Sequence, residues 1–360
     1  MHYGLVMECD YRYGHSQEEG FDEAFAIADQ AEKGGLDGVW LAERHFAAPS
    51  DPQDPMGGGI PSVVSTPLII CSAIAARTER LRIGVGVNVL PLIHPVRMAE
   101  EIATLDHISH GRVDFGIGRS GFMRAYEGYD IPYAESRERF QENLEIILAA
   151  WSNEKFSYEG KYYNLKDVCV IPKPVQEPFP PLRMAATTKE TFPQVGKLGY
   201  PIFVGLRGLD RPDLVELLET YREAWRESGH PGNGDVYLRI PVYVGSSQET
   251  AYADAEASTM RSYRRMAQNF AASAANAGAV ASEDRAARGV ALAAVTYEDL
   301  IRDRLAYGSP DSVIKQLKVI TEELGLSGIA AETNVGGLIP REKVAASIEL
   351  FCKEVVPGLR

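Results

Sequence analysis

The chain has 360 residues, and its 37 lysines and arginines against 50 aspartates and glutamates give a formal net charge of −13. That balance disfavours nucleic acid or an anionic membrane surface as a partner, because both are read through basic patches. Hydrophobic residues at 45% and charged residues at 24% exclude disorder as the main state, and at roughly 150 residues per domain the length suggests two domains or slightly more, unless one larger α/β barrel takes it all.

The first seven residues carry no basic leader, and Glu8 and Asp10 cut the apolar run short, so no signal peptide is expected. Tyr3–Met7 reads as a strand. Phe21, Ala24, Phe25, Ala28 and Ala31 then recur at helical spacing, and Gly34-Gly35 ends that helix. Gly38–Ala42 is the next buried strand. The loop after it, rich in Pro and Gly from Pro49 to Pro61, is a candidate lid from Ala47 onward. The uncharged stretch Pro61 to Ala76 is too short and too rich in Ser, Thr and Pro to span a bilayer, which makes a cytoplasmic location the expectation. A helix over Thr66–Arg77 leads into a strand over Leu81–Val89. Pro95 opens a helix over Val96–Ser109, and Val113–Ile117 is a fourth strand.

Ala134–Trp151 is helical, with Phe140, Leu144, Ile147 and Leu148 on one face. Phe156 to Tyr163 reads as a hairpin, and five prolines follow between Pro172 and Pro181. The rhythm resumes with strand Leu182–Ala185, helix Glu190–Leu198, strand Ile202–Gly205, helix Pro212–Ser228 and strand Val236–Val244. Gln248 to Asn276 is an alanine-rich helical region, and Gly278 to Tyr307 reads as an insertion, part of which is a second candidate lid. Ser309-Pro310 starts a helix with a hydroxyl cap and proline in the first turn. Strand Gly328–Glu332 and helix Arg341–Val355 complete the series.

Strands alternating with helices imply a parallel sheet with right-handed crossovers. About eight units fit a single (β/α)₈ TIM barrel over residues 1–360, with insertions after strands 4 and 7 at about 152–181 and 278–307. A doubly wound sheet with an added helical domain stays open, because periodicity does not show closure.

Four motifs stand where barrel sites form, at the C-terminal ends of strands. Gly116-Ile-Gly118-Arg-Ser-Gly121 matches a dinucleotide fingerprint in letters only: Gly128 and Pro132 interrupt the helix that the fingerprint needs. What survives is a glycine-rich turn carrying Arg119, suited to a phosphate or, as readily, to a neighbouring carboxylate. Glu43-Arg44-His45-Phe46 ends the second strand and His94 the third, so two histidines suited to proton transfer share one end of adjacent strands; the plainer role is loop structure. Ala186-Thr187-Thr188-Lys189-Glu190-Thr191 sets three hydroxyls at a helix start, fit for an anion or for simple capping. Cys9, Cys71, Cys169 and Cys352 lie far apart, without ligand or disulfide spacing, so no metal is expected. No nucleophile elbow or Walker loop occurs.

Val39 to Phe46, the run Gly84 to Arg97 and Gly111 to Arg119 together resemble bacterial luciferase and the luciferase-like flavin-dependent monooxygenases. Tyr307-Gly-Ser-Pro310 and Leu350 to Pro357 are similar as well, so the likeness runs nearly end to end. It implies a TIM barrel, usually a homodimer, that takes reduced FMN from a separate flavin reductase and uses dioxygen to oxidise a small organic substrate. On that likeness, Arg119, Thr188 and Thr191 hold the FMN phosphate with Ala186 and Thr187 beside them. Gly86-Val87 lies under the isoalloxazine ring, where the family often carries a non-prolyl cis peptide. His45 matches the second of two adjacent luciferase histidines. Arg44 stands where the first, catalytic one belongs, which argues against light emission from an aldehyde. His45 and Arg44 are therefore the expected catalytic residues, and His94 is expected to face the substrate. Two rival readings stay open: a deazaflavin-dependent hydride-transfer enzyme on the same barrel, and a flavin-binding protein without turnover.

Overall fold

The computed structural model describes residues 1–11, 14–46, 62–121, 123–274 and 279–360, with side chains at 272–273 and 279–284 left aside. Eight strands form its centre: β1 His2–Met7, β2 Gly38–Leu41, β3 Arg82–Val85, β4 Val113–Gly118, β5 Leu182–Ala185, β6 Ile202–Gly205, β7 Val236–Val244 and β8 Gly328–Glu332. Each pairs in parallel with the next, and β8 returns to β1 with Tyr3 opposite Ile329 and Val6 opposite Glu332. The sheet is therefore a closed TIM barrel, and the open doubly wound alternative falls. These strands are short apolar runs covered outside by helices, as parallel strands require.

Eight helices wrap the strands: α1 Gln17–Lys33, α2 Pro67–Arg77, α3 Pro95–Ile108, α4 Ser136–Ser152, α5 Thr191–Leu198, α6 Arg211–Glu227, α7 Pro310–Leu324 and α8 Arg341–Leu350. Their starts follow local chemistry. Ser16 and Glu19 close a capping box on α1, and Ser309 caps α7 with Pro310 in its first turn. The third strand is shorter than its apolar run predicts. It stops at Val85, the chain turns through a cis peptide at Gly86-Val87, and Asn88–Val89 then pairs with Ile117 and Gly118 of β4.

Two excursions leave the barrel. The first is the expected hairpin within 152–181, Phe156–Glu159 with Asn164–Val168, which follows α4 and runs on beyond the expected Tyr163. The Glu142 carboxylate of α4 holds it by accepting the backbone N–H groups of Lys161, Tyr162 and Tyr163. The second begins at Gln248, earlier than expected. Helix Gln248–Ala274 packs on helix Ala279–Ala294, with Gly289 facing Ala267 and Ala271 so closely that a Cβ would lie 3.2 Å from their backbone atoms. Helix Tyr297–Asp303 and the short strand Ala306–Gly308, which extends the sheet from the end of β7, complete the unit. Helical periodicity without an intervening strand could not reveal that both arms belong to one excursion. The candidate lid Ala47–Pro61 lies outside the described residues.

Inside the barrel, side chains fall in tiers, because alternate residues of each strand point inward. Val6, Trp40, Phe203, Tyr237 and Ala330 make a separate buried apolar cluster across the interior. Trp40 fills its middle, 5.3 Å from the Phe203 ring and 6.2 Å from Tyr237 between centroids. Glycines opposite make room: a Cβ on Gly84 would lie 2.6 Å from the indole, and one on Gly116 would lie 2.1 Å from the Val85 carbonyl oxygen. Towards the N-terminal end lie Arg82 paired with Asp114 at 2.9 Å and the Arg183 guanidinium 3.6 Å from the Tyr237 ring centroid. Two residues beyond Val6, Tyr237 and Ala330, the inward positions are Glu8, Arg239 and Glu332. The apolar tier thus parts two charged ones.

A methyl added at Gly84 has no room to relax, since backbone of β4 also closes on it. We expect Gly84→Ala to cost about 1–3 kcal/mol, the usual range for overpacking. Urea unfolding checks this, and an unchanged midpoint would show that Trp40 does not plug the barrel as described.

Candidate active site

The C-terminal ends of β3, β4 and β5 gather the residues expected to hold a cofactor. Gly86-Val87 turns at the end of β3, and Gly118 of β4 faces it: a Cβ there would lie 2.5 Å from Val87 Cγ2. Only glycine lets these segments approach so closely. Arg119 follows β4, and the Tyr126 hydroxyl donates to its carbonyl. At the start of α5 the Thr188 and Thr191 hydroxyls meet at 2.9 Å, and Thr191 N–H donates to the Thr188 carbonyl. Ala186 is buried beneath them, whereas the Thr187 side chain is exposed. Helix Ala279–Ala294 reaches over both loops: Arg285 donates to Gly121 O at 3.5 Å and Arg288 to Thr187 O at 2.9 Å. A guanidinium, two hydroxyls and N–H groups at a helix start form a donor set that fits a phosphate monoester.

His45, after β2, is held from both sides. Its Nε2 lies 2.8 Å from Glu43 Oε1 and its Nδ1 lies 3.1 Å from the Tyr129 hydroxyl. A carboxylate can only accept, so Nε2 is the donor to Glu43, while Nδ1 meets the Tyr129 hydroxyl. Val89 N–H donates to Glu43 Oε2 at 2.9 Å, which ties His45 to the segment just past the cis peptide. Asn88 links the same segment to β4 by donating to Gly116 O at 2.8 Å. His94 is placed differently. It is exposed at the start of α3 with its ring edge against Tyr163 of the hairpin, and among the described residues it meets no other candidate.

Arg44 does not point at the cofactor residues. Its guanidinium lies 2.5 Å from Glu8 Oε2 and 3.0 Å from Asp10 Oδ1. Glu8 is shared with Arg239 and, at 3.5 Å, with Arg207; Glu332 takes Arg207 at 2.8 Å and Arg239 at 2.9 Å. Arg207 also donates to Ser262 of the long excursion helix. Three arginines and three carboxylates therefore interlock at the ends of β1, β2, β6, β7 and β8. An arginine so held can place charge but cannot shuttle a proton. Sequence reasoning missed Glu8, Asp10, Arg207, Arg239 and Glu332. The available signal was a charge two residues beyond Val6, Tyr237 and Ala330 of the apolar tier, and using it required the strand register.

The network perturbs its own acids. Burial would raise Glu8, but Arg239, Arg44 and Arg207 outweigh it and hold the carboxyl at about 2. For Asp10, burial wins despite Arg44, with Glu8 and Glu332 adding to the rise, and the carboxyl is pushed up to about 7.

A model of the luciferase-like monooxygenase family matches residues 1–328. Over 358 residues the chain is 24% identical to the oxygenase component of the flavin-dependent trigonelline monooxygenase of Acinetobacter baylyi, covering 95% of this chain and 91% of that one. Among solved structures, it resembles the oxygenating constituent of 3,6-diketocamphane monooxygenase from Pseudomonas putida in complex with FMN, at TM-score 0.78 and 21% identity over 99% of this chain and 98% of that one. It also resembles an F420-dependent secondary alcohol dehydrogenase, at TM-score 0.74 and 17% identity over 100% and 99%. The barrel and the family match define an oxidoreductase that works with a flavin-type cofactor. This chain belongs to the luciferase-like monooxygenase family. Among its described residues, no helix is long and apolar enough to cross a membrane.

The Asp10 shift has a consequence for stability. Its ordinary value is near 4, so across about pH 4 to 7 the folded chain keeps a proton that the unfolded chain has released, and stability falls as pH rises through that window. Glu8 works in the other direction, contributing above its ordinary value of 4.5 and losing that contribution as pH falls towards 2. We expect Asp10→Asn, which keeps an acceptor for Arg44, to gain on the parent protein from pH 5 to about 7 in urea unfolding and to level off above that. Parallel stability curves would mean that Asp10 ionises normally.

Proposed function

We propose that this chain is the oxygenase component of a two-component monooxygenase, taking reduced FMN from a separate reductase and using dioxygen to oxidise a small organic substrate. The observation that carries the reading is the gathering of Arg119, Thr188 and Thr191 beside Gly86-Val87 at one end of the barrel. In it, Arg119 and the two hydroxyls grip the phosphate, Ala186 and Thr187 border it, and Gly86-Val87 with Gly118 offers a flat seat for the ring. When bound, the flavin supplies the two electrons that let one oxygen atom enter the substrate while the other leaves as water.

The chain's own residues orient, protonate and exclude water. His45, held between Glu43 and Tyr129, presents an imidazole beside the seat and moves a proton at the oxygen being cleaved. Arg44 supplies fixed positive charge next to it. Helix Ala279–Ala294 roofs the phosphate loops through Arg285 and Arg288 and keeps water out. A second copy would cover α2, where Ile69 is 70% exposed, to give a homodimer. His94 would meet only a substrate long enough to reach the hairpin.

The direct test supplies the protein with a flavin reductase, NADH and FMN and follows dioxygen against oxidised product; preference for reduced F420 with no dioxygen uptake would turn the reading to hydride transfer. We expect Arg119→Ala to weaken reduced FMN roughly 10–100-fold, the worth of one charge-assisted contact. Reduced riboflavin, lacking the phosphate, should be weakened far less, and equal losses would make Arg119 structural.

For His45→Ala we expect a folded protein that still binds FMN but loses product formation by roughly 10²–10⁴-fold while releasing more hydrogen peroxide. Normal coupling in a variant with a lowered melting temperature would assign His45 to loop packing alone.

A further inference from the structure

The interlocked charges form a second functional surface. The residues proposed to hold FMN follow β3, β4 and β5, whereas the arginine–carboxylate network occupies the ends of β6, β7, β8, β1 and β2, the other half of the same barrel mouth. Its two kinds of charge are not equally placed. The Glu8, Asp10 and Glu332 side chains are 8%, 4% and 2% exposed, while Arg44, Arg207 and Arg239 are 23%, 18% and 17% exposed. The carboxylates are therefore the rear of the network and the arginine side chains its more open face.

The network does not satisfy all of its own polar atoms. Arg207 Nε, Glu8 Oε2 and the hydroxyl of Tyr263, on the long excursion helix, are buried without a hydrogen-bond partner, and Tyr263 faces the Arg207, Arg304, Arg239 and Glu332 charges. A network serving only packing would match them, because unmatched buried polar groups cost about 1–3 kcal/mol each. Partly exposed guanidinium edges are the chemistry that reads a planar oxyanion.

We propose that this half of the barrel mouth recognises the substrate, and that the substrate is an organic acid whose carboxylate or sulfonate docks on Arg44, Arg207 and Arg239. This rests on the oxygenase reading for the word substrate, though not for the binding itself. The anion would be held next to His45, the neighbour of Arg44, with the remainder of the molecule directed across the mouth to the flavin half. Charge bookkeeping supports the site near neutrality. With Asp10 raised towards 7 by burial, three guanidiniums face two ionised carboxylates. The groups around Asp10 among the described residues are Arg44, Glu8, Glu332 and Arg207, and its backbone bridges to Ser62.

The test pairs acids with neutral isosteres on the full-length protein: hexanoate and hexanesulfonate against hexanamide, and benzoate against benzamide. Binding is measured by calorimetry with and without FMN. We expect at least one acid to bind about 10-fold or more tightly than its amide. Arg207→Gln should bring the pair within about 3-fold, and Arg207→Lys should recover part of the preference. Asp10→Asn, which removes a negative charge and keeps the fold, should tighten acid binding at pH 8 and leave amides unchanged. The proposal is overturned if acids and amides bind alike, if neither binds, or if Asp10→Asn leaves acid affinity at pH 8 unaltered. Acid preference in a protein that fails to bind reduced FMN would sink the oxygenase reading and leave this site standing.

Discussion

Closure of β8 onto β1 fixes which residue of every strand faces inward, and the rest of the molecule follows from that register. With Tyr3 opposite Ile329 and Val6 opposite Glu332, the inward series reads as an apolar tier around Trp40 with charged tiers on either side. A one-residue slip would turn Glu8, Arg239 and Glu332 outward against the helices, where no partner charge waits. The apolar tier also raises the stakes of each charged one, since charges beside low-dielectric packing must be matched among themselves. Three arginines shared among Glu8, Asp10 and Glu332 supply most of that match.

The mouth above these tiers is divided by strand. Glycine at 118 brings the end of β4 close against Val87 past β3, and Arg119, Thr188 and Thr191 follow at the rim. Across from them the strands end in guanidiniums backed by acids. His45 sits at the seam, fixed by Glu43 and Tyr129. The helical excursion after β7 reaches both halves, with Arg285 and Arg288 bonded to the loops after β4 and β5 and Ser262 and Tyr263 against Arg207. One added element thus spans the cofactor side and the network side.

Much of this was legible in the residues. Short apolar runs alternating with helical spacing located all eight barrel strands, and Ser309-Pro310 and Gly34-Gly35 marked helix ends through local chemistry. The apolar run Leu81–Val89 misled because hydrophobicity does not record a backbone turn: its second half is still buried, only on a new course. The excursion after β7 was bounded too late because two alanine-rich helices look alike whether they wrap a barrel or pair with each other. Candidate residues borne on distinctive motifs, such as Arg119, His45 and the Thr188–Thr191 turn, are visible in the sequence. Glu8, Asp10, Arg207, Arg239 and Glu332 are not, as each stands in an ordinary sequence context and they meet only through barrel closure. His94 shows the converse, a residue at a suggestive strand end that faces outward onto Tyr163.

The central claim is that the two halves of the mouth have different ligands, a flavin phosphate on one and the network's guanidiniums free of it on the other. A crystal structure of the protein with FMN tests this most directly. The account expects the phosphate within hydrogen-bond distance of Arg119, Thr188 and Thr191, with the ring against Gly86-Val87 and Arg44, Arg207 and Arg239 still paired with Glu8 and Glu332. A phosphate seated on Arg44, Arg207 and Arg239 would contradict it and exchange the roles of the two halves.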